Sequence, residues 1–105
     1  MSAAGKRWMG LIAQLSCVVC ERNGIFPQGQ IHLHHVAEGS GLRSDFAVAP
    51  LCAEHHIGKS GLHGMGTKAF IRLYRPPGDS EYGLLVWTAE DLEYLLHATG
   101  KRLAA

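Results

Sequence analysis

The sequence predicts a small α+β domain that is stabilised by zinc and carries a helix on each side of a central β-hairpin. Three observations predict this class. Cysteine and histidine recur at metal-ligand spacing in two places, Cys17-x2-Cys20 and Cys52-x2-His55. Two short apolar segments between or near these pairs have strand character, at residues 31–36 and 46–51. Apolar residues at helical spacing lie towards both ends of the chain.

Length and composition favour one compact domain over residues 1–105. Of the 105 residues, 47% are apolar and 18% are charged, so the chain is too hydrophobic to be disordered and too short for two ordinary domains. Thirteen glycines and four prolines predict many turns. The first seven residues lack a signal peptide's apolar stretch, and no apolar run is long enough to span a bilayer. We therefore expect a cytoplasmic protein with no membrane partner.

The first half of the chain is predicted to form a helix followed by a hairpin. Residues 6–15 carry apolar side chains at i, i+3, i+4 and i+7, which is one face of a short helix. Turn signals fill residues 21–30, and the alternating pattern of residues 31–36 then predicts the first strand. A glycine-rich turn at 38–42 and a second apolar strand at 46–51 complete the hairpin.

The segment after the hairpin is predicted to be helical with one interruption. Residues 53–57 form a helical turn, which the glycine-rich residues 58–66 interrupt. Residues 67–74 then form a helix, because Pro76 and Pro77 close it.

The C-terminal helix is predicted over about residues 88–99, after a short apolar segment at 84–87. Thr88 is its expected N-cap and Asp91 stands at the capping-box position. Gly100 is expected to end the helix.

Charge is distributed unevenly along the chain. Residues 1–78 hold eight Lys or Arg residues against four acidic ones, whereas residues 79–105 hold two basic and five acidic ones. A basic body with an acidic C-terminal helix is typical of a protein that meets polyanions, although an ordinary solvated surface explains the same distribution. The candidate phosphate contacts are Arg43, Lys59, Lys68, Arg72 and Arg75.

The two metal-ligand pairs use all three cysteines of the chain. Cys17, Cys20, Cys52 and His55 together supply the four soft or borderline donors that a tetrahedral zinc prefers. A chain this small gains much stability from such a bound ion. An odd number of cysteines also cannot form a closed set of disulfides. The sequence predicts a Cys3His structural zinc site; the other interpretation is unligated core cysteines beside a surface histidine.

The remaining histidines indicate a second, open metal site. His34 and His35 end the first strand, His56 follows a zinc ligand, and His63 lies in a glycine-rich loop. Hydrolysis of a phosphodiester needs a base of near-neutral pKa and a cation to neutralise phosphate charge, and histidine serves both needs. Neighbours on a strand point to opposite faces, so His34 and His35 share a site only if the strand end is bulged or twisted. His32 is expected on the polar face of the strand.

These residues resemble, as an ordered set, the HNH or ββα-metal endonucleases, and within them the phage-associated recombination-enhancement (Ref-like) nucleases. The resemblance runs from about residue 17 to residue 70. It is carried by Cys17-Val-Val-Cys20, His34-His35-Val36, Gly39-x-Gly41, Ser44-Asp45-Phe46, Pro50-Leu51-Cys52-x-x-His55-His56 and Gly61-Leu62-His63-Gly64.

The resemblance implies a treble-clef-like ββα-metal fold and a nuclease site. In it, His34 is a ligand of a catalytic Mg²⁺ or Mn²⁺, His35 is the general base, His56 is a second ligand, and His63 is a further ligand or a phosphate contact. It also implies DNA as substrate, and a recombinase filament or another phage or host DNA-processing protein as partner. Low sequence specificity is expected because the candidate basic contacts go to phosphates rather than to base edges.

The chain departs from the HNH pattern at four points. Position 55 is histidine where many members of the family have cysteine, and imidazole also binds zinc. The first position of the histidine pair is more often aspartate in the family, so the roles of His34 and His35 can be exchanged. The middle asparagine is missing, and Asp45 occupies its neighbourhood as a candidate catalytic or orienting residue. Glycines break the helix that usually carries the last ligand.

A non-catalytic zinc module that binds DNA or a protein is the competing interpretation. It needs only the first metal site and the basic residues. The surplus of histidines near the second pair favours the endonuclease, because a purely structural zinc module does not require them. A phosphate-binding loop at Gly58-Lys59-Ser60 is excluded because position 53 is alanine, where that motif has glycine.

Overall fold

The computed structural model describes residues 2–37, 41 and 43–98, and it is an α+β arrangement with one two-stranded sheet in that part of the chain. The elements, in chain order, are α1 (Ala3–Ile12), α2 (Val18–Asn23), β1 (Ile31–His35), β2 (Val48–Cys52), α3 (Ala53–Ile57), α4 (Leu62–Met65), α5 (Thr67–Tyr74), a 3-10 turn (Pro77–Asp79) and α6 (Gly83–Ala98). The predicted turn at 38–42 lies outside the described residues apart from Gly41. Among the helices described, none is long and apolar enough to cross a membrane.

The hairpin has the predicted antiparallel pairing, with a regular register along its whole length. Ile31 pairs with Cys52 at one end and His35 with Val48 at the other. Every residue of β2 is buried, whereas β1 is only partly buried. The second strand begins two residues later than predicted, because exposed Phe46 lies in the turn that precedes it.

Helix α1 begins three residues before the predicted start. The cause is Ser2, whose Oγ accepts a hydrogen bond from the backbone N–H of Gly5 at 2.9 Å and caps the helix. The apolar face contributes Ile12, and Leu15 follows beyond the helix end; both are buried with Val48 of the hairpin and Leu92 of α6. The N-terminal helix therefore packs on the hairpin.

The C-terminal helix differs most from its predicted bounds. It begins at Gly83 rather than Thr88, so the apolar segment at 84–87 is part of the helix. Thr88 is not a cap: it is buried, and its Oγ1 donates to the carbonyl of Leu84 at 2.7 Å. The local pattern predicted the wrong start of the helix, because burial of Leu84 and Trp87 against other elements outweighs local propensity. The expected end at Gly100 lies outside the described residues.

Asp91 does not act as a capping-box residue either. Its carboxylate receives both hydrogen bonds of 2.7 Å from the guanidinium of Arg22 in α2. The same guanidinium contacts Glu90 at 2.9 Å and lies 5.2 Å from the ring centroid of Trp87. This cluster fixes α6 against α2, next to the first cysteine pair.

Candidate metal centres

The two predicted metal-ligand pairs meet in one buried cluster. Cys17 precedes α2, Cys20 lies in α2, Cys52 ends β2 and His55 lies in α3. The Sγ atoms of Cys20 and Cys52 are 3.8 Å apart. Nδ1 of His55 lies 3.6, 3.4 and 3.3 Å from the Sγ atoms of Cys17, Cys20 and Cys52. All four side chains are buried.

These distances fit a tetrahedral zinc ion. Zn–S bonds of about 2.3 Å and a Zn–N bond of about 2.0 Å require S–S edges of about 3.8 Å and S–N edges of about 3.5 Å. The Cys20–Cys52 edge and the three edges to His55 agree with these values. The Cys3His cluster can therefore hold a structural metal such as zinc, with every tetrahedral position supplied by the chain.

The thiol pKa values and the closeness of the three sulfur atoms indicate a site for a cation. Burial raises the pKa of the Cys17 thiol, and burial together with the neighbouring Cys17 raises the pKa of Cys20 far above its ordinary value. For Cys52, burial opposes ionisation, but backbone hydrogen bonds from His55 and Gln28 bring its pKa below the ordinary value. Three thiolates this close repel one another, so a divalent cation is the group that stabilises them together.

A second cluster contains His34 of β1, His56 of α3 and His63 of α4. Each histidine offers one ring nitrogen, and these three nitrogens all lie within 4.8 Å of one another. The His56 and His63 ring centroids are 4.8 Å apart, and each is 5.4 Å from the His34 centroid. His34 is buried, His56 is half-buried and His63 is exposed, so this cluster is open to solvent on one side.

Glycines bring His63 back to His56. Helix α3 ends at Ile57 with Gly58 as its C-cap, and the chain then turns so tightly that a Cβ on Gly64 would overlap the carbonyl oxygen of Gly58. The turn is also fixed by the Glu54 carboxylate, which accepts hydrogen bonds from Ser60 N at 2.9 Å and Ser60 Oγ at 2.7 Å. The interruption that departs from the family pattern thus places both histidines in one cluster.

The histidine cluster has the chemistry of an open cation site. Burial, followed by repulsion from His34, His63 and His32, lowers the pKa of His56 to about 4, so its imidazole is neutral at neutral pH and has a free lone pair. Three imidazoles suit a borderline transition ion better than Mg²⁺, which prefers oxygen ligands. Three protein ligands also leave positions for water or a substrate.

Two residues that the sequence analysis did not assign contact this cluster. Nε2 of His34 lies 2.6 Å from Oε2 of Glu81, and Nδ1 of His32 lies 2.8 Å from Nδ1 of His56. His32 was expected only on the polar face of the strand, yet its two-residue spacing from His34 already places both on one face. No local sequence pattern pointed to Glu81, because its contact with His34 joins residues 47 positions apart in the chain.

His35 lies in a different cluster, on the other face of β1. Its Nε2 is 3.1 Å from Oδ1 of Asp45, and a guanidinium nitrogen of Arg43 is 3.0 Å from its Nδ1. Because a guanidinium only donates, Nδ1 of His35 accepts and Nε2–H donates to Asp45. The regular register through His35 means that no bulge brings it to the face of His34.

The basic residues are divided among three places. Lys68, Arg72 and Arg75 line one groove of about 430 Å³ along α5, together with Ile71 and Asp79. Lys59 is exposed in the turn between α3 and α4. Arg43 contacts His35, as described above. Three of the five predicted phosphate contacts therefore share one surface.

Comparison with known proteins yields one family. No curated protein and no solved structure matches the chain. The model of the family described as recombination enhancement, RecA-dependent nuclease, matches residues 1–94. This match covers most of the chain and confirms the resemblance to the Ref-like nucleases. The chain therefore belongs to the family of RecA-dependent nucleases of recombination enhancement.

Proposed function

We propose that this chain is a metal-dependent HNH-type endonuclease that hydrolyses DNA phosphodiester bonds with low sequence specificity. The observation that carries the proposal is the pair of clusters to which α3 contributes one histidine each. His55 belongs to the closed Cys3His cluster and His56 to the open histidine cluster. The hairpin β1–β2 followed by α3 has the order of a ββα-metal element, and family membership supports nuclease chemistry.

In this proposal the Cys3His cluster holds a structural zinc, and His34, His56 and His63 hold a catalytic divalent cation, Mn²⁺ or Mg²⁺. The cation would neutralise negative charge on the phosphate and the departing oxygen. The half-buried and exposed positions of His56 and His63 leave room for a phosphate beside the cluster.

His35 is the proposed general base. Asp45 accepts a hydrogen bond from Nε2–H of His35, which leaves the unprotonated Nδ1 as the basic nitrogen. Arg43 now donates to that nitrogen. In the proposed reaction, Arg43 moves to the phosphate backbone and His35 Nδ1 takes a proton from the attacking water. The water oxygen bonds to phosphorus as the bond from phosphorus to the departing oxygen breaks. Because His34 and His35 lie on opposite faces of β1, this reaction requires the phosphate to lie across the end of the strand, between the histidine cluster and His35.

The groove along α5 is the proposed path of the DNA backbone. Lys68, Arg72 and Arg75 present three cations there, and Lys59 presents a separate cation in the turn that precedes α4. Contacts to phosphates position a duplex without reading its sequence, hence the low specificity. The family description names RecA dependence, so we propose a recombinase filament, or another DNA-processing protein, as partner in the cytoplasm.

A plasmid-nicking assay with His35→Ala tests the proposal. The zinc-loaded protein should nick DNA only when Mn²⁺ or Mg²⁺ is added, in the presence of a recombinase filament. His35→Ala should lose at least about 100-fold in rate, as expected for removal of a general base, while DNA affinity is kept. The matched control is His97→Ala, which removes a side chain that is 70% exposed on α6. Nicking that is absent from the wild-type protein in every condition, with DNA binding intact, would indicate a binding module instead.

A further inference from the structure

We propose that Glu81 and His32 are positioning residues of the histidine cluster, fixing which nitrogen of His34 and of His56 can bind a cation. The inference rests on the proposed function, because it concerns the same metal site. Neither residue belongs to the three-histidine group itself. Each instead contacts one ring nitrogen of a group member.

The contact between Glu81 and His34 is short and buried. Oε2 of Glu81 lies 2.6 Å from Nε2 of His34, and only 6% of Glu81 and 7% of His34 are exposed. An ionised carboxylate only accepts, so Nε2 of His34 carries the proton and Nδ1 has the free lone pair. A carboxylate placed in this way orients a metal-binding imidazole and raises its basicity.

The contact between His32 and His56 acts in the same way. Their Nδ1 atoms are 2.8 Å apart, so one ring donates a proton to the other. If His56 donates, its Nε2 is unprotonated and can bind a cation; if His32 donates, Nε2 of His56 carries a proton and cannot. Cation binding through Nε2 therefore selects the form in which His32 is the acceptor.

The position of Glu81 links the C-terminal helix to the site. Glu81 lies between the 3-10 turn and α6, outside the segment 17–70 that carries the HNH resemblance. The next residue, Tyr82, donates from its hydroxyl to the carbonyl of Ala37 at 3.3 Å, just after β1. Two contacts thus dock the start of α6 on the end of the strand that supplies His34.

Manganese binding tests the inference without any activity measurement. Mn²⁺ alone is titrated into the zinc-loaded full chain at one neutral pH, and free Mn²⁺ is followed by electron paramagnetic resonance. Glu81→Gln and His32→Phe should each weaken Mn²⁺ binding by about 10- to 100-fold. Glu93→Gln is the matched control, since this α6 carboxylate is 75% exposed, and it should change the affinity less than twofold.

A spectroscopic measurement separates positioning from ligation. Co²⁺ bound at the histidine cluster should keep the same absorption bands in Glu81→Gln, only at higher Co²⁺ concentration. Bands that change in position or intensity would show that Glu81 is itself a ligand and would overturn the positioning role. Zinc content and thermal unfolding show whether each variant is folded, and His32→Phe provides an independent test should Glu81→Gln not fold.

The outcomes distinguish this inference from the proposed function. Wild-type affinity retained in both folded variants overturns the inference alone, and the metal-dependent nuclease stands. A wild-type protein that binds no Mn²⁺ at the histidine cluster overturns both. Weakened binding in both variants, with zinc retained and Co²⁺ bands unchanged, supports the inference.

Discussion

His55 and His56 are neighbours in one short helix, yet they belong to clusters of opposite character. His55 is buried with three cysteines at the distances of a complete tetrahedron. His56 is half-buried with two other histidines, one of which is exposed. A closed donor set stabilises a fold, whereas an incomplete and accessible one leaves room for a substrate.

The comparison indicates that the open cluster depends on the closed cluster, whereas the closed cluster does not depend on the open one. The closed cluster joins α2, β2 and α3, and α3 in turn positions His56. The open cluster adds side chains of β1 and α4 to His56 of α3, and none of its three histidines is a ligand in the closed cluster. Losing the closed cluster should therefore remove both sites, whereas losing the open cluster should leave the fold intact.

Breaking the closed cluster should have the largest effect. Cys52→Ser removes a ligand and one sulfur that backbone amides contact. Structural zinc contributes about 10–16 kcal/mol in small zinc domains, which is as large as the total stability of about 5–15 kcal/mol of an ordinary domain. We expect loss of zinc and of the cooperative unfolding transition, measured by elemental analysis and circular dichroism. A Cys52→Ser protein that folds without zinc would contradict the comparison.

Breaking the open cluster should remove function and spare the fold. His56→Ala should abolish the binding of Mn²⁺ and lower nicking by at least about 100-fold, because the cation loses one of its three ligands. One zinc per chain should remain, and the free energy of unfolding should change by about 1 kcal/mol or less. Loss of zinc in this variant would mean that the two clusters are not separable.

Disturbing the turn between the clusters should have an intermediate effect. Gly64→Ala places a Cβ against the backbone of Gly58, so we expect a loss of about 1–3 kcal/mol in the free energy of unfolding. The binding of Mn²⁺ should also weaken, since the neighbouring His63 moves. The matched control is Gly10→Ala in α1, where a Cβ meets nothing within 4 Å. This control should gain up to about 1 kcal/mol.

The smallest effect is expected on the groove, which belongs to neither cluster. Arg72→Ala should weaken DNA binding several-fold and make the slope of log K against log salt shallower by about 0.9, the value for one phosphate contact. Zinc and Mn²⁺ binding should not change. Lys6→Ala, an exposed cation on α1, is the control and should keep the wild-type slope if the groove along α5 is the DNA surface.

The closed cluster was predictable from sequence because its signal is local. Each pair of ligands lies within four consecutive residues, and the two spacings are those of a zinc site. The hairpin was predictable for a similar reason, since β1 alternates and β2 is continuously apolar. The surplus of histidines indicated the open cluster, but its ligand set needed the family resemblance, because His34, His56 and His63 follow no regular spacing.

The remaining features depend on contacts between distant segments. Thr88 and Asp91 matched a helix start by local pattern, but burial of Leu84 and the pairing of Asp91 with Arg22 decide their actual places. Glu81 reaches His34 across 47 residues. The separation of His34 from His35 depends on the absence of a bulge at the end of β1, which no residue type there signals.

Metal stoichiometry tests the two-cluster description most directly. The purified protein is passed over a chelating resin, its zinc is counted by elemental analysis, and Mn²⁺ is then titrated back. We predict one zinc per chain that survives the resin and one Mn²⁺ per chain that binds reversibly afterwards. A folded protein that keeps no zinc, or one that keeps zinc but binds no second ion, would contradict the description.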